Sequence, residues 1–263
     1  MNHFPVALTI AGFDSGGGAG TLADAKTFAA YGVWATAAIT AVTAQNTTGV
    51  QAITMLEPAM VAAQIDSVCL DMRVAAVKTG MLGSGPIVGA VADAVRRLDL
   101  SPLVVDPIAV ATSGASLLDA EGQRRLVADL FPLATVVTPN LGEVSALTGL
   151  EVTCRAEMEA AGRALLDCGC EAVLVTGGHL ADENPADCLV RAGAAAVWFE
   201  GPKIGGAGAH GSGCVLSAAI CAGLARGYGL EDACREGKAF VGAALGSAVE
   251  LGAGPPSANP AAT

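Results

Sequence analysis

The chain has 263 residues, with 14 lysines and arginines against 25 acidic residues, a net charge of −11, and 52% apolar residues. No Lys/Arg cluster occurs, which argues against a nucleic-acid partner, because phosphate-backbone binding requires a basic face. No basic segment followed by a long apolar run opens the chain, and no apolar stretch reaches membrane-spanning length. The expectation is therefore a soluble, cytoplasmic protein with no membrane partner.

The length suits one large α/β domain over residues 1–250. Few aromatics and many alanines and glycines imply a core of Ala, Val and Leu with closely packed helices. The eight cysteines show no paired CxxC spacing, so a zinc site is unsupported and reduced thiols are expected.

In chain order, strands are predicted at 6–10, 33–40, 75–78, 103–106, 135–138 and 172–175. Helices are predicted between them near 18–31, 57–71, 85–97, 119–130 and 155–168. This alternation predicts a largely parallel sheet with helices on both faces. Residues 188–199 read as a hairpin or antiparallel edge turning at Ala192–Gly193. Helices near 213–226 and 230–249 close the fold. The small, polar, proline-rich residues 251–263 read as a disordered tail. Unusual loops follow the strands: AGFDSGGGAG, KTGML, DPIAVATSG, TPNLGE and TGGHL. In open sheets of this kind ligands gather at the carboxyl ends of strands.

The junction GAGAHGSGC, residues 206–214, has the clearest chemistry. Gly211, Ser212 and Gly213 allow a tight turn into a helix whose first N–H groups bind negative charge. Cys214 falls in the first turn, where the helix dipole is expected to lower its pKa and make it a general base. The other seven cysteines read as structural. A literal GxGxxG over 206–211 lacks the βαβ context of a dinucleotide fingerprint, and no Walker phosphate loop occurs. In TPNLGE, Asn140 and Glu143 have the spacing of a capping box. His210 reads as a loop-shaping residue.

The segments ALTIAGFDSGGGAGTLADAKTF, ITAVTAQNTTGVQ, VKTGML, VVDPIAVATSG, TPNLGEVSAL, GGHL and HGSGCVLSAAI, in this order, resemble the hydroxymethylpyrimidine/phosphomethylpyrimidine kinases of thiamine biosynthesis. The resemblance places the chain in the ribokinase-like superfamily. It implies a three-layer α/β sandwich, ATP as phosphoryl donor, Mg²⁺, a small pyrimidine substrate and a homodimer. By the same resemblance Asp24 and Gln45 recognise the aminopyrimidine ring, with Gly12 and Met81 lining its pocket. Asp106 and Glu143 help hold Mg²⁺ and, with Asn140 and Thr176, the nucleotide; Gly211, Ser212, Gly213 and Cys214 carry the chemistry.

Several positions depart from the family pattern. Phe13, Ser15, Gly16, Thr21 and Leu22 alter the first loop. Ala109, Thr112, Thr176 and Ala207–Ala209 stand where relatives carry Met, Lys or hydroxyl groups. The changed first loop motivates a pyridoxal-type vitamin kinase as an alternative. The missing phosphate-site lysines motivate another, a pyrimidine-binding sensor without activity.

Overall fold

The computed structural model describes residues 4–109, 117–178, 180, 185–201 and 210–263. The strands are Val6–Asp14 (β1), Trp34–Asn46 (β2), Gly49–Met55 (β3), Val74–Thr79 (β4), Leu103–Val105 (β5), Val136–Val137 (β6), Ala172–Val175 (β7), Ala186–Arg191 (β8) and Val197–Glu200 (β9). They form one sheet in the order β3-β2-β1-β4-β5-β6-β7-β8-β9. From β2 to β7 all pairings are parallel; β3, β8 and β9 join antiparallel at the two ends.

The central strands are continuous apolar runs because helices cover both faces. Their period of two sorts successive side chains into two cores. Leu103, Val105, Val137, Val173 and Val175 join one core, with the helices Pro58–Cys69 (α2), Gly85–Arg97 (α3), Leu141–Thr148 (α5) and Arg155–Leu166 (α6). Val104, Val136, Ala172 and Leu174 join the other, with Gly20–Ala30 (α1), Ser212–Ala225 (α7) and Leu230–Gly246 (α8). The short helix Ala120–Arg125 (α4) runs on through a wide π-turn and a 3-10 turn to Leu133, covering the predicted 119–130 segment. Helix α7 is buried nearly all round, which explains its composition of Ala, Ser, Cys and Gly.

Three elements differ from the sequence reading. Strand β2 runs six residues beyond the predicted Thr40, and β3 forms with it a hairpin that the pattern did not suggest. Five of the seven β3 residues are exposed, so no apolar alternation marks it. The turn is set locally: Asn46 Oδ1 accepts the backbone N–H and the hydroxyl of Thr48 at 2.9 and 2.7 Å. The end of the chain is packed rather than disordered. Ser257 exchanges both backbone bonds with Val249 at 2.9 and 3.0 Å, and the Asn259 N–H donates to the Ala244 carbonyl at 2.9 Å. These bonds run through the backbone, which composition does not report.

Candidate active site

The carboxyl ends of β4 to β7 form a stepped rim. The Asp106 N–H donates to the Thr79 carbonyl (3.0 Å), Thr138 to Val105 (2.9 Å) and Thr176 to Pro139 (2.9 Å). Asn140 and Thr176 form an isolated bridge beyond the last paired residues. Asp106, Asn140, Glu143 and Thr176, which the sequence reading assigned to the nucleotide and its metal, all fall on this rim.

Helix α7 enters from the opposite layer. The Ser217 hydroxyl, one turn in, donates to Asp106 Oδ2 at 2.9 Å and ties the helix start to the end of β5. Gly211 caps the helix with φ of +85°, a conformation costly for other residues. A Cβ there would also overlap the Gly18 carbonyl oxygen, so the junction packs directly on the first glycine loop. No described side chain caps α7 or α1. The Gly20 backbone N–H, at the start of α1, lies close enough to the Cys214 sulfur to favour its thiolate slightly. Two helix starts with orphan N–H groups thus meet at Cys214, which makes the place suited to an anion. Residues 202–209, including the rest of the glycine junction and its GxGxxG match, lie outside the described residues, as do Thr112 and His179.

The electrostatics correct one expectation. Cys214 is only 7% exposed. Burial pushes its thiol up to about 12; Lys78 favours the thiolate, while Asp106 and Asp24 oppose it. The helix dipole does not make a resting thiolate, because burial outweighs it.

Asp106 and Glu143 read differently. Burial raises the Asp106 carboxyl to about 6, against the pull of Lys78 and the Ser217 hydroxyl. Burial and the charge of Asp106 push Glu143 up to about 8. A buried and a half-buried carboxylate that disfavour each other's charge fit a hard divalent cation such as Mg²⁺, which is commonly held through one or two carboxylates plus waters and phosphates. Among the described residues no cluster of three or more His, Cys, Asp or Glu ligands occurs, as an all-protein cage would need. Glu143 also closes the expected capping box: its Oε2 accepts the Asn140 N–H, and Asn140 Oδ1 accepts the Glu143 N–H, both at 2.9 Å.

Three of the four expected acceptor residues gather where β1, β2 and β4 end. A Cβ on buried Gly12 would lie 3.1 Å from the Met81 sulfur. The Met81 carbonyl accepts the Thr40 hydroxyl at 2.7 Å. Gln45, half-buried, reaches Thr43 Oγ1 at 3.3 Å and His210 Nε2 at 3.3 Å.

Asp24 does not join them. It is fully buried in α1, where its two carboxylate oxygens bind Lys78 Nζ at 2.7 and 2.8 Å and Oδ2 also accepts the Thr9 hydroxyl at 2.6 Å. A carboxylate so engaged is not presented to a ring. Burial would pull the Lys78 ammonium down, but Asp24, with Cys214 and Asp106 nearby, holds it above the ordinary lysine range. Lys78, Thr9, Asp14 and Ser217 escaped the sequence reading. The available signal was a polar residue interrupting an otherwise apolar strand, as Thr9 and Lys78 do.

A mostly parallel nine-stranded sheet between two helical layers, its carboxyl rim facing the start of a buried helix, is the architecture of the ribokinase-like small-molecule kinases. The family model described as phosphomethylpyrimidine kinase matches residues 14–259. The chain belongs to that family. It is 46% identical over 252 residues to the hydroxymethylpyrimidine/phosphomethylpyrimidine kinase of Rhizobium meliloti (strain 1021), covering 95% of this chain and 94% of that protein. Among solved structures, an ADP complex of Bacillus subtilis pyridoxal kinase superposes with a TM-score of 0.92 at 34% identity, covering 99% and 98% of the two chains. A phosphomethylpyrimidine kinase from Clostridium difficile 630 gives a TM-score of 0.81 at 37% identity, covering 91% and 99%. Among the described residues, no helix is long and apolar enough to cross a membrane.

Proposed function

We propose that the protein transfers the γ-phosphoryl group of ATP to the hydroxymethyl oxygen of 4-amino-5-hydroxymethyl-2-methylpyrimidine, and then a second phosphoryl group to the monophosphate. The observation that carries this reading is the meeting of the α1 and α7 starts at Cys214, beside Asp106 and Glu143. In such reactions positioning and electrostatics supply most of the rate. The acceptor ring lies against Gly12 and Met81, with Gln45 at its polar edge. The N–H groups of residues 211–214 hold the transferring phosphoryl oxygens. Cys214 takes the proton of the attacking hydroxyl as a thiolate, the thiol's own proton having first left to solvent; Lys78 favours that thiolate. Asp106 and Glu143 would hold Mg²⁺, with Asn140 and Thr176 near the nucleotide. The ion, when bound, neutralises charge on the phosphates.

Incubating the purified protein with MgATP and each pyrimidine tests this reading, with ADP release as the readout. Folded protein that makes no ADP with either compound refutes it. Cys214→Ala is the companion variant: normal turnover would remove the proton-accepting role and leave the kinase assignment standing.

Pyridoxal is a second acceptor to test. The close superposition on a pyridoxal kinase motivates it, and the kcat/KM ratio of the two acceptors decides between them. We also infer a cytoplasmic homodimer. The edge strand β3, with Ile53 and Met55 exposed and Val42 exposed on neighbouring β2, supports the pairing. Light scattering on the purified protein tests it.

A further inference from the structure

His210 precedes the junction glycine, and its side chain reaches Gln45 and Asp14. Its Nε2 lies 3.3 Å from the Gln45 carboxamide nitrogen as placed and 3.4 Å from Asp14 Oδ2. Asp14 is 5% exposed. Its Oδ2 also accepts the N–H groups of Gly18 (3.1 Å) and Ala19 (2.9 Å), and its Oδ1 that of Gly16 (2.8 Å). Burial pushes this carboxyl up, but His210 and the backbone donors hold it below its ordinary value. An ionised carboxylate only accepts, so the His210 Nε2 facing it must carry a hydrogen.

That hydrogen decides the polarity of Gln45. A protonated Nε2 cannot accept, so the carboxamide end beside it must be the oxygen; which end of an amide is which is assigned from such networks. The reversed carboxamide still satisfies its other neighbour. Thr43 Oγ1 gives its hydrogen to the Phe13 carbonyl at 3.0 Å and is left as an acceptor, 3.3 Å from the other end of Gln45. The chain of bonds is then consistent from Phe13 through Thr43 and Gln45 to His210 and Asp14.

His210 is itself firmly held. Its N–H donates to the Pro256 carbonyl at 2.9 Å and its carbonyl accepts the Ala258 N–H at 3.2 Å, so the C-terminal segment grips both backbone groups. Its ring lies so close over Gly18 that a Cβ there would come within 2.7 Å of Cδ2.

We propose that His210 is a specificity-determining positioning residue: by donating from Nε2 to Asp14 and Gln45 it fixes which end of the Gln45 carboxamide donates to the acceptor ring. The inference rests on Gln45 meeting the ring. With this polarity Gln45 offers an N–H on its Thr43 side and an oxygen on its His210 side. An acceptor whose polar edge carries a ring nitrogen beside an exocyclic amine fits in one orientation, with the amine towards His210. A ring with a carbonyl oxygen in place of the amine meets the Gln45 oxygen and is rejected.

The test compares 4-amino-5-hydroxymethyl-2-methylpyrimidine with its 4-oxo analogue in the wild type, His210→Phe, His210→Gln and Gln45→Ala. His210→Phe keeps a ring over Gly18 and removes the donor. The expected result is a loss of amino-over-oxo discrimination of about tenfold or more in kcat/KM, since a carboxamide without its fixed partner turns to suit either ring. The change should appear in KM for the pyrimidine, with KM for ATP retained, and His210→Gln, which keeps an N–H, should restore part of the discrimination. Unchanged discrimination in folded His210→Phe, together with a weakened Gln45→Ala, overturns the proposal alone. A Gln45→Ala variant that handles both rings like the wild type overturns the reading of Gln45 as well. Independently of any variant, ¹⁵N NMR of the wild-type imidazoles reads the tautomer, and the chain has only 3 histidines. A hydrogen on His210 Nε2 at neutral pH supports the proposal; a bare Nε2 overturns it.

Discussion

Replacing Lys78 by Met takes away the counter-ion of a carboxylate that has no access to water. Lys78 and Asp24 are both 0% exposed and joined at 2.7 Å, and the Thr9 hydroxyl is the remaining partner of Asp24. Removing one member of such a pair leaves a buried, uncompensated charge and costs about 3–5 kcal/mol. For a chain of this size that is a fall in Tm of about 6–20 °C. Neutralising both members, as Lys78→Met with Asp24→Asn, removes the orphan charge, and most of the loss should be recovered. The pH dependence sharpens the test. Burial already raises the Asp24 carboxyl against the pull of Lys78; in Lys78→Met its folded-state pKa rises further above the unfolded value of about 3.9, so the folded protein holds a proton that the unfolded chain releases. Stability is therefore highest below that value and falls as pH climbs towards the raised folded pKa. Urea denaturation at about pH 5 and about pH 8 should show the single variant losing much more stability at the higher pH than the wild type does, and the double variant following the wild-type slope. Equal loss in the single and double variants, or a single variant whose pH slope is no steeper than the wild type's, would refute the argument that Lys78 holds Asp24 charged.

Three further outcomes follow from the site. Gly211→Ala forces a side chain into a left-handed cap against the Gly18 carbonyl; we expect about 1–2 kcal/mol lost in denaturation from the backbone conformation alone. Displacing the junction amides should lower kcat by about 10²–10³. Because burial pushes Cys214 up to about 12, site-resolved alkylation at neutral pH should label exposed Cys154 long before Cys214. Asp106 and Glu143, raised to about 6 and about 8, bind protons when folded that the unfolded chain has lost. Their contribution without a divalent cation is present below about pH 4 and declines towards pH 8. Added Mg²⁺ should raise Tm most at the alkaline end, and Glu143→Gln should flatten the slope.

The central strands were legible in the sequence because burial on both faces leaves runs such as Leu103–Val105 without polar interruption. The cap of α5 was legible too, since Asn140 and Glu143 act on their own local backbone. Strand β3 was not: its side chains face solvent, and its register comes from a turn. The C-terminal segment misled for a related reason, because backbone bonds to Val249, His210 and Ala244 hold it whatever its side chains. At the site, the glycines and Cys214 stood out because their chemistry depends on position within one turn. Asp24 was legible as a charge but not as half of an ion pair, because its partner lies 54 residues away in sequence. For Cys214 the helix dipole was visible beforehand and the opposing burial was not, and burial is the larger effect.

These observations bear on how a chain of net charge −11 could hold a triphosphate. Two lysines do lie near the rim, but each is already neutralised. Lys78 is spent on Asp24, and Lys238 of α8 lies 2.9 Å from Asp187, which also accepts the N–H of Gly177, next to Thr176 on the rim. A cation bound that closely to a carboxylate adds little potential at a distance, so these pairs fix the shape of the rim more than its charge. Lys26 is a further cation, its Nζ donating to the Gly17 carbonyl of the first glycine loop at 2.7 Å; at the helix starts themselves the groups that favour an anion are backbone N–H groups, where α1 and α7 begin. The acidic pair Asp106 and Glu143 would repel phosphate by itself and favours it once a divalent cation lies between. With Mg²⁺ bound as proposed, the positive potential at this site would come from peptide dipoles and the ion, which tolerates an acidic surface elsewhere on the molecule.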